Sequence, residues 1–196
     1  FEVSKDTLIP RPETELLVDK LLKIYRGKKI SILDIGTGSG CIIISLISEL
    51  KKSIGAGIDI SKKAILIAKK NATKYNLSNR IKFLNKSFEG LVDKRYDLIV
   101  SNPPYIKHKD IKNLSDDIKI FEPRMALDGG NDGLDVIKKI IYKSKYILKI
   151  NGLLALEIGN EQIKKVSNIL IDNKFRIKEV IKDYKNNVRC VLAQNR

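Results

Sequence analysis

The sequence predicts an α/β fold with a mainly parallel sheet, helices on both faces and an antiparallel pair of strands at the C-terminal end. Three observations predict it. Short apolar runs with strand character alternate with segments of helical periodicity along most of the chain. A length of 196 residues, of which 43% are hydrophobic, suits one domain with a full core. The last two strand-like runs are joined by the turn-forming stretch "KNN".

The individual elements follow from their patterns. Strands are expected where an apolar run is bounded by polar or turn residues. They are 29–36, 54–60, 80–85, 96–101 and 152–159, followed by the antiparallel pair within 176–184 and 187–194. Helices are expected where apolar residues recur with a period of 3.6 residues. They are 41–50, 61–75, 133–148 and 161–173, with Ser61 as the N-cap of the second. We treat residues 1–196 as a single domain.

Composition excludes several classes of protein. No apolar run approaches the roughly 18 residues of a membrane span. No signal peptide is visible in the polar, proline-bearing first residues, so a cytoplasmic protein is expected, or an organellar one if the source is a eukaryote. The two cysteines, Cys41 and Cys190, and the one histidine, His108, lack metal-ligand spacing, so no metal site is expected. The net charge of +15 would suit a polyanionic partner, although coding bias towards lysine is the favoured explanation because the lysines are scattered.

A glycine-rich loop follows the first predicted strand. "LDIGTGSGC" (33–41) places glycines at 36, 38 and 40 between a strand and a helix, where they permit close approach of the backbone to a ligand. The spacing differs from the dinucleotide and phosphate-loop patterns. Asp34, just before the loop, suits a cationic ligand better than a pyrophosphate. Asp59, at the end of the second strand, can accept both hydroxyls of a ribose. S-adenosylmethionine is a nucleoside with two cationic groups and no phosphate, and it meets both requirements.

The fourth strand ends in "VSNPPYI" (100–106). Proline cannot donate to a sheet ladder, so the strand must stop at Asn102. In a parallel sheet built this way the fourth strand lies beside the first, and its carboxyl end faces the same ligand. Asn102 and the carbonyl of Pro103 can then accept both N–H groups of one planar NH2, while Tyr105 stacks on its plane. Phe88, after the third strand, is expected to form one wall of the apolar slot that holds the adenine ring.

These stretches carry a family resemblance. "LDIGTGSG" and "SNPPY", together with "LIPRPETELLVD" (8–19) and "FEPRMALDGGNDGLDVI" (121–137), resemble the peptide chain release factor glutamine methyltransferases, the HemK/PrmC family. The resemblance implies a Rossmann-like class I S-adenosylmethionine-dependent methyltransferase with a seven-stranded sheet. It implies methyl transfer to the side-chain amide nitrogen of the glutamine in the Gly-Gly-Gln loop of class I release factors. A release factor would therefore be the partner.

The sequence patterns and the family resemblance together predict which residues form the site. Cofactor contacts are expected from Asp34, Gly36, Thr37, Gly38, Ser39, Gly40, Asp59, Phe88 and Asn102. Substrate contacts are expected from Asn102, Pro103, Pro104 and Tyr105, of which Asn102, Pro103 and Tyr105 are the expected catalytic residues.

The sequence departs from the family pattern in two features, and the role of a third stretch stays open. Ser87 stands where the family usually has an acid, and the chain begins where the family commonly has a helical substrate-binding domain upstream. In "IPRPETELLVD", Pro12 fits the first helical position, with Glu13 and Glu15 favouring the helix N-terminus. Alternatively, Arg11 and Glu13 frame the substrate entrance.

Two other functions remain as alternatives. An N-methyltransferase of exocyclic amino groups in RNA or DNA would use Asn-Pro-Pro-Tyr equally well, with the target base flipped onto Tyr105. Direct nucleic-acid binding fits the charge but is disfavoured, since the chain shows no obvious target-recognition domain. A non-catalytic nucleoside-binding module would leave Asn102 and Tyr105 unexplained.

Overall fold

A single seven-stranded sheet organises the chain in the computed structural model, which describes residues 1–92 and 96–196. The strand order is β3-β2-β1-β4-β5-β7-β6. The strands are β1 Ser31–Ile35, β2 Ile54–Asp59, β3 Ile81–Asn85, β4 Tyr96–Ser101, β5 Leu148–Glu157, β6 Phe175–Lys182 and β7 Val188–Asn195. β1 to β5 are parallel, and β7 pairs antiparallel with both β5 and β6. The mainly parallel sheet and the antiparallel C-terminal pair are therefore confirmed.

Six α-helices accompany the strands in the part of the chain that the structure describes. They are α1 Pro12–Tyr25, α2 Cys41–Glu49, α3 Lys62–Lys74, α4 Asp116–Phe121, α5 Asp135–Ile147 and α6 Ile163–Asp172. Pro12 occupies the first position of α1, where its missing N–H costs nothing. Ser61 caps α3 by accepting a hydrogen bond from the Ala64 N–H at 3.2 Å. Both predictions are confirmed. No helix among the described residues is long and apolar enough to cross a membrane.

The central strands bury both of their faces because helices cover each side. Ile32 packs into the core formed with α1, α2 and α3, whereas its neighbour Leu33 packs into the core formed with α5 and α6. Ile99 and Leu98 of β4 divide between the two cores in the same way. This alternation explains why the central strands read as continuous apolar runs. Because β2, β1 and β4 are adjacent and parallel, their carboxyl ends lie together at one edge of the sheet.

Two parts of the fold differ from the sequence-based expectation. β5 begins at Leu148, directly after α5, and not at 152, because a register shift between Tyr96 and Leu98 lets Leu148 pair with Tyr96 before the ladder resumes. The segment between β4 and α5, which carried no predicted element, contains α4 and the short 3-10 helices His108–Asn113 and Arg124–Ala126. This segment folds back over the carboxyl edge of the sheet.

Candidate functional site

The glycine loop is held by backbone hydrogen bonds to β2. The N–H groups of Gly36 and Thr37 donate to the Ile58 carbonyl at 2.9 and 3.0 Å. Gly36, Gly38 and Gly40 have φ values of +69°, +54° and +81°, which L side chains rarely adopt. The three glycines are therefore required by the shape of the turn.

Asp59 joins the end of β2 to this loop. Its Oδ2 accepts from the Gly38 N–H at 3.0 Å, and its Oδ1 accepts from the Ser61 N–H at 2.8 Å. A carboxylate has about four acceptor positions, so further hydrogen bonds to a ligand remain open to it. The side chain is thus fixed in orientation before any ligand arrives.

Asp34 lies beneath the loop and does not line the cavity. Its side chain is fully buried, and Oδ2 accepts from the Thr37 hydroxyl at 2.7 Å. Oδ1 has no hydrogen-bond partner among the described residues, although the Ile43 N–H in the first turn of α2 lies near enough to favour the charged form. Burial raises the pKa of this carboxyl group to about 7, against the opposing effect of Thr37. Asp34 can therefore act on a ligand by its charge rather than by contact.

A cavity of about 360 Å³ opens at the carboxyl edge of the sheet. It brings together most of the residues predicted for the site. Those that line it are Gly36, Thr37, Gly38, Ser39, Asp59, Phe88, Asn102, Pro103 and Pro104. Besides Asp34, Gly40 and Tyr105 are outside the lining. Gly40 instead starts α2, where an added Cβ would lie 3.0 Å from Ile44 Cδ1.

The Asn-Pro-Pro-Tyr stretch begins where β4 ends, at Ser101. The Ser101 hydroxyl donates to the Ile35 carbonyl at 2.7 Å, which ties the ends of β4 and β1 together. Asn102 Nδ2 donates to the Thr14 hydroxyl of α1 at 3.4 Å. Neither Asn102 Oδ1 nor the Pro103 carbonyl accepts a hydrogen bond from the part of the chain that the structure describes. Two acceptors are thus available side by side at the cavity wall.

Tyr105 lies beyond the cavity, on the side of β5 and β7. Its ring packs against the core formed with α5 and α6, and its carbonyl accepts from Gln162 Nε2 at 3.0 Å. Burial raises the pKa of its hydroxyl to about 12, and the nearby Glu157 carboxylate adds to the rise. The phenol therefore stays neutral at physiological pH.

Sequence reasoning missed a second set of residues that complete the cavity. Residues 6–10, before α1, supply one further wall, and Pro123, Met125 and Ala126, after α4, supply another. Arg11 and the buried Glu122 form an ion pair that joins these two segments. The only signal for them was the two longer motifs of the family resemblance. Glu13 pairs with Arg189 of β7 at 3.5 Å, and nothing tests whether it frames an entrance.

Asn71 is another residue without a sequence signal. It is fully buried on α3, and its Nδ2 donates to the carbonyls of Ser39 and Glu2, both at 2.9 Å. It therefore ties the glycine loop to the N-terminal segment. Ser87, in place of the family's usual acid, caps the 3-10 turn Phe88–Gly90 by accepting from the Glu89 N–H at 3.2 Å.

Known proteins resemble this arrangement in sequence and in fold. The family model described as "Methyltransferase small domain" matches residues 11–119. The release factor glutamine methyltransferase of Fusobacterium nucleatum is 43% identical over 99% of the chain, which spans only 55% of that relative. The one of Clostridium acetobutylicum is 42% identical over 98% of the chain and 69% of the relative. The crystal structure of the ribosomal protein L11 methylase from Lactobacillus delbrueckii superposes with a TM-score of 0.71 at 19% identity, covering 96% of this chain and 81% of that one.

Because the sequence identity to this solved structure is low, the structural similarity shows the fold alone. The sequence similarity extends through both longer motifs, the glycine loop and Asn-Pro-Pro-Tyr, because the alignments cover nearly the whole chain. The fold is that of class I S-adenosylmethionine-dependent methyltransferases, and the chain belongs to the release factor glutamine methyltransferase family.

Proposed function

We propose that this chain transfers a methyl group from S-adenosylmethionine to the side-chain amide nitrogen of the glutamine in the Gly-Gly-Gln loop of class I peptide chain release factors. The observation that carries the proposal is the pair of unused acceptors, Asn102 Oδ1 and the Pro103 carbonyl, at a cavity wall shared with the glycine loop. A planar NH2 group has two N–H donors, and these acceptors match them.

The cavity fits S-adenosylmethionine better than a phosphate-bearing cofactor. The N–H groups of Gly36, Thr37 and Gly38, which a phosphate would need, already donate to Ile58 and Asp59. Ser39, the next residue of the loop, also lines the cavity. When it is ionised, Asp34 places a negative charge beneath the loop, which favours a cation.

For this reaction the main task of the protein is to position the substrate. S-adenosylmethionine supplies an electrophilic methyl group. An amide nitrogen is a poor nucleophile, since its lone pair is delocalised into the carbonyl group. Asn102 and Pro103 would hold both N–H bonds, and these hydrogen bonds strengthen as positive charge develops on nitrogen. The methylated nitrogen is acidic enough to release its proton to water, so the scarcity of histidine is no obstacle.

The glutamine would enter on the side of Tyr105. Its neutral, half-buried ring suits stacking against an amide plane rather than proton transfer. Glycines beside the glutamine would let the loop backbone approach where a Cβ would clash. The relatives' names support a release factor as the protein partner, and the free thiols of Cys41 and Cys190 fit a reducing compartment such as the cytoplasm.

The experiment is a single-turnover assay with methyl-labelled S-adenosylmethionine. The acceptors are a folded class I release factor, its variant with glutamate in place of the loop glutamine, a short loop peptide and unmodified ribosomal RNA. We expect one methyl group on the loop glutamine of the folded factor, located by intact-mass and peptide mass spectrometry. The peptide should react more slowly, because remote contacts supply binding energy that positions the amide.

Equal transfer to the glutamate variant would overturn the assignment of the target atom. Transfer to ribosomal RNA at the rate seen with the release factor would favour the nucleic-acid alternative, which the net charge of +15 also suits.

A further inference from the structure

Glu157 is a buried carboxylate that the cofactor cavity leaves unexplained. It is the last residue of β5, it is 2% exposed, and it pairs with Cys190 of β7. A buried charge is costly unless it is hydrogen-bonded. Its Oε2 accepts from the hydroxyl of Thr14 on α1 at 2.7 Å, across 143 positions of sequence. The same hydroxyl accepts from Asn102 Nδ2 at 3.4 Å.

When Glu157 is ionised, the number of protons on these three groups fixes the direction of both hydrogen bonds. An ionised carboxylate can only accept, and a threonine hydroxyl has one proton to give. Thr14 therefore donates to Glu157 and keeps only its lone pairs for Asn102. Asn102 must then present its NH2 end to Thr14, since the opposite orientation would bring two acceptor oxygens together.

Burial disfavours the charged form of Glu157, and three neighbouring groups act against that effect. Burial raises its pKa, and Glu13 adds to the rise. The Thr14 hydroxyl, the Arg189 guanidinium and the nearby Asn102 amide oppose it. The Thr14 hydroxyl donates to the carboxylate, and the positive charge of Arg189 also favours its ionised form.

We propose that Glu157 and Thr14 are positioning residues that hold the Asn102 amide with Oδ1 towards the nitrogen that receives the methyl group. The reading of Oδ1 as the acceptor rests on the proposed function. A flipped amide would present NH2 to a substrate that itself offers N–H groups, and the hydrogen bond would be lost. Neither residue needs to touch the substrate for this effect.

Amide orientation can be measured without any substrate. In nuclear magnetic resonance spectra of the chain alone, the Asn102 side-chain NH2 protons should show nuclear Overhauser contacts to the Thr14 methyl group. These contacts should weaken in Glu157→Gln, because a glutamine can either donate to or accept from Thr14 and no longer sets the direction. Absence of the contacts in the wild type would overturn the inference, whatever the chain methylates.

Kinetics supply the second test. Thr14→Val keeps the side-chain shape but removes the hydroxyl, and it should lower the single-turnover rate constant about 10- to 100-fold at saturating cofactor. Thr14→Ser should restore most of the rate, and Glu157→Gln should lose less than Thr14→Val. In an Asn102→Ala background, Thr14→Val should cause no further loss, since the two residues act through one interaction.

Ser53→Ala is the matched control. Its buried hydroxyl accepts from the Ile30 N–H at 3.1 Å at the opposite edge of the sheet, so its loss should lower stability and leave the rate unchanged. A Thr14→Val loss that Thr14→Ser fails to rescue, or that adds fully to Asn102→Ala, would assign Thr14 a merely structural role. Failure of the wild type to methylate a release factor would count against the proposed function alone, because the amide orientation is read independently.

Discussion

At the scale of single residues, Asp59 is the side chain on which cofactor affinity should depend most directly. It orients the loop through Gly38 and α3 through Ser61, and its remaining acceptor positions face the cavity. Charge-assisted hydrogen bonds contribute roughly 1.5–3 kcal/mol each. We expect Asp59→Ala to weaken S-adenosylmethionine binding at least about 10-fold, as measured by titration calorimetry.

Asp97 offers the control for this measurement. It accepts from the Ser31 N–H at 2.8 Å and pairs with Lys149 at the other end of the strands. Asp97→Ala removes comparable bonds far from the cavity and should leave the affinity intact. Equal losses in both variants would mean that stability, and not ribose recognition, explains the effect.

Asn102 should act on the transition state rather than on cofactor binding. By analogy with the loss of an oxyanion-hole donor, loss of a hydrogen bond that strengthens during reaction should cost about 2.7–4 kcal/mol. Asn102→Ala should therefore slow a single turnover by about 100- to 1,000-fold, with the dissociation constant of S-adenosylmethionine changed far less. A mutant that turns over near the wild-type rate would contradict the role given to the amide.

Asp34 predicts a pH dependence of cofactor binding. The pKa of its buried carboxyl group is about 7 in the chain alone, so much of it is protonated below that pH. A bound cation favours the ionised form and lowers this pKa. Binding should therefore release a proton below pH 7, and affinity should fall as the pH falls through 7. Calorimetry in buffers of different ionisation enthalpy measures the released protons, and an affinity that is constant across this range would exclude the linkage.

At the scale of elements, the contact between β2 and the glycine loop leaves no room at Gly57. Gly57 lies opposite Asp34 in the sheet, and an added Cβ would lie 2.7 Å from Phe83 Cε1 and 2.8 Å from Thr37 Oγ1. We expect Gly57→Ala to lower the free energy of unfolding by about 1–3 kcal/mol in urea titrations. The substitution should also weaken binding of the cofactor, because the added Cβ would push the Thr37 side chain away from Asp34. Gly90→Ala, where a Cβ would meet nothing within 4 Å, should do neither.

The elements also show where sequence reasoning succeeds and where it stops. The strands and their parallel order were predictable because apolar runs such as Ser31–Ile35 are local signals. The segment after β4 was not, because it is held by distant backbone bonds. The Ile106 N–H donates to the Leu127 carbonyl at 3.0 Å, and the Gly129 N–H donates to the Ile106 carbonyl at 2.8 Å. No periodicity marks such bonds in the sequence.

Some parts of the candidate site were likewise predictable from the sequence, and others were not. The glycine loop, Asp59 and Asn-Pro-Pro-Tyr were recognisable, since each follows a strand that brings it to the same sheet edge. The contact of Thr14 with Glu157 was not, because 143 positions separate the two residues and only the folded arrangement of α1 and β5 joins them. Whether each predicted residue binds cofactor or substrate remains a prediction.

At the scale of the whole molecule, the excess positive charge lies outside the cavity. The net charge is +15, yet the charged residues lining the cavity among the described residues are Asp6, Asp59, Asp128 and Lys86. A basic exterior around an acidic cavity separates two tasks. Under the proposed function, the exterior would attract an acidic partner surface over the range of the Debye length, and the cavity would select the cation and the reacting group.

This separation predicts that salt acts on encounter and not on chemistry. Raising potassium chloride should lower the second-order rate constant for a release factor by about 10-fold or more, because screening removes the long-range attraction. The single-turnover rate constant at saturation and the methylated position should not change, since both depend on short-range contacts around Asn102. An uncharged osmolyte at matched osmolality is the control and should leave all three quantities unchanged. A second-order rate constant indifferent to salt would assign the lysines to composition alone, and a shift of the methylated position would give the surface charge a part in target selection.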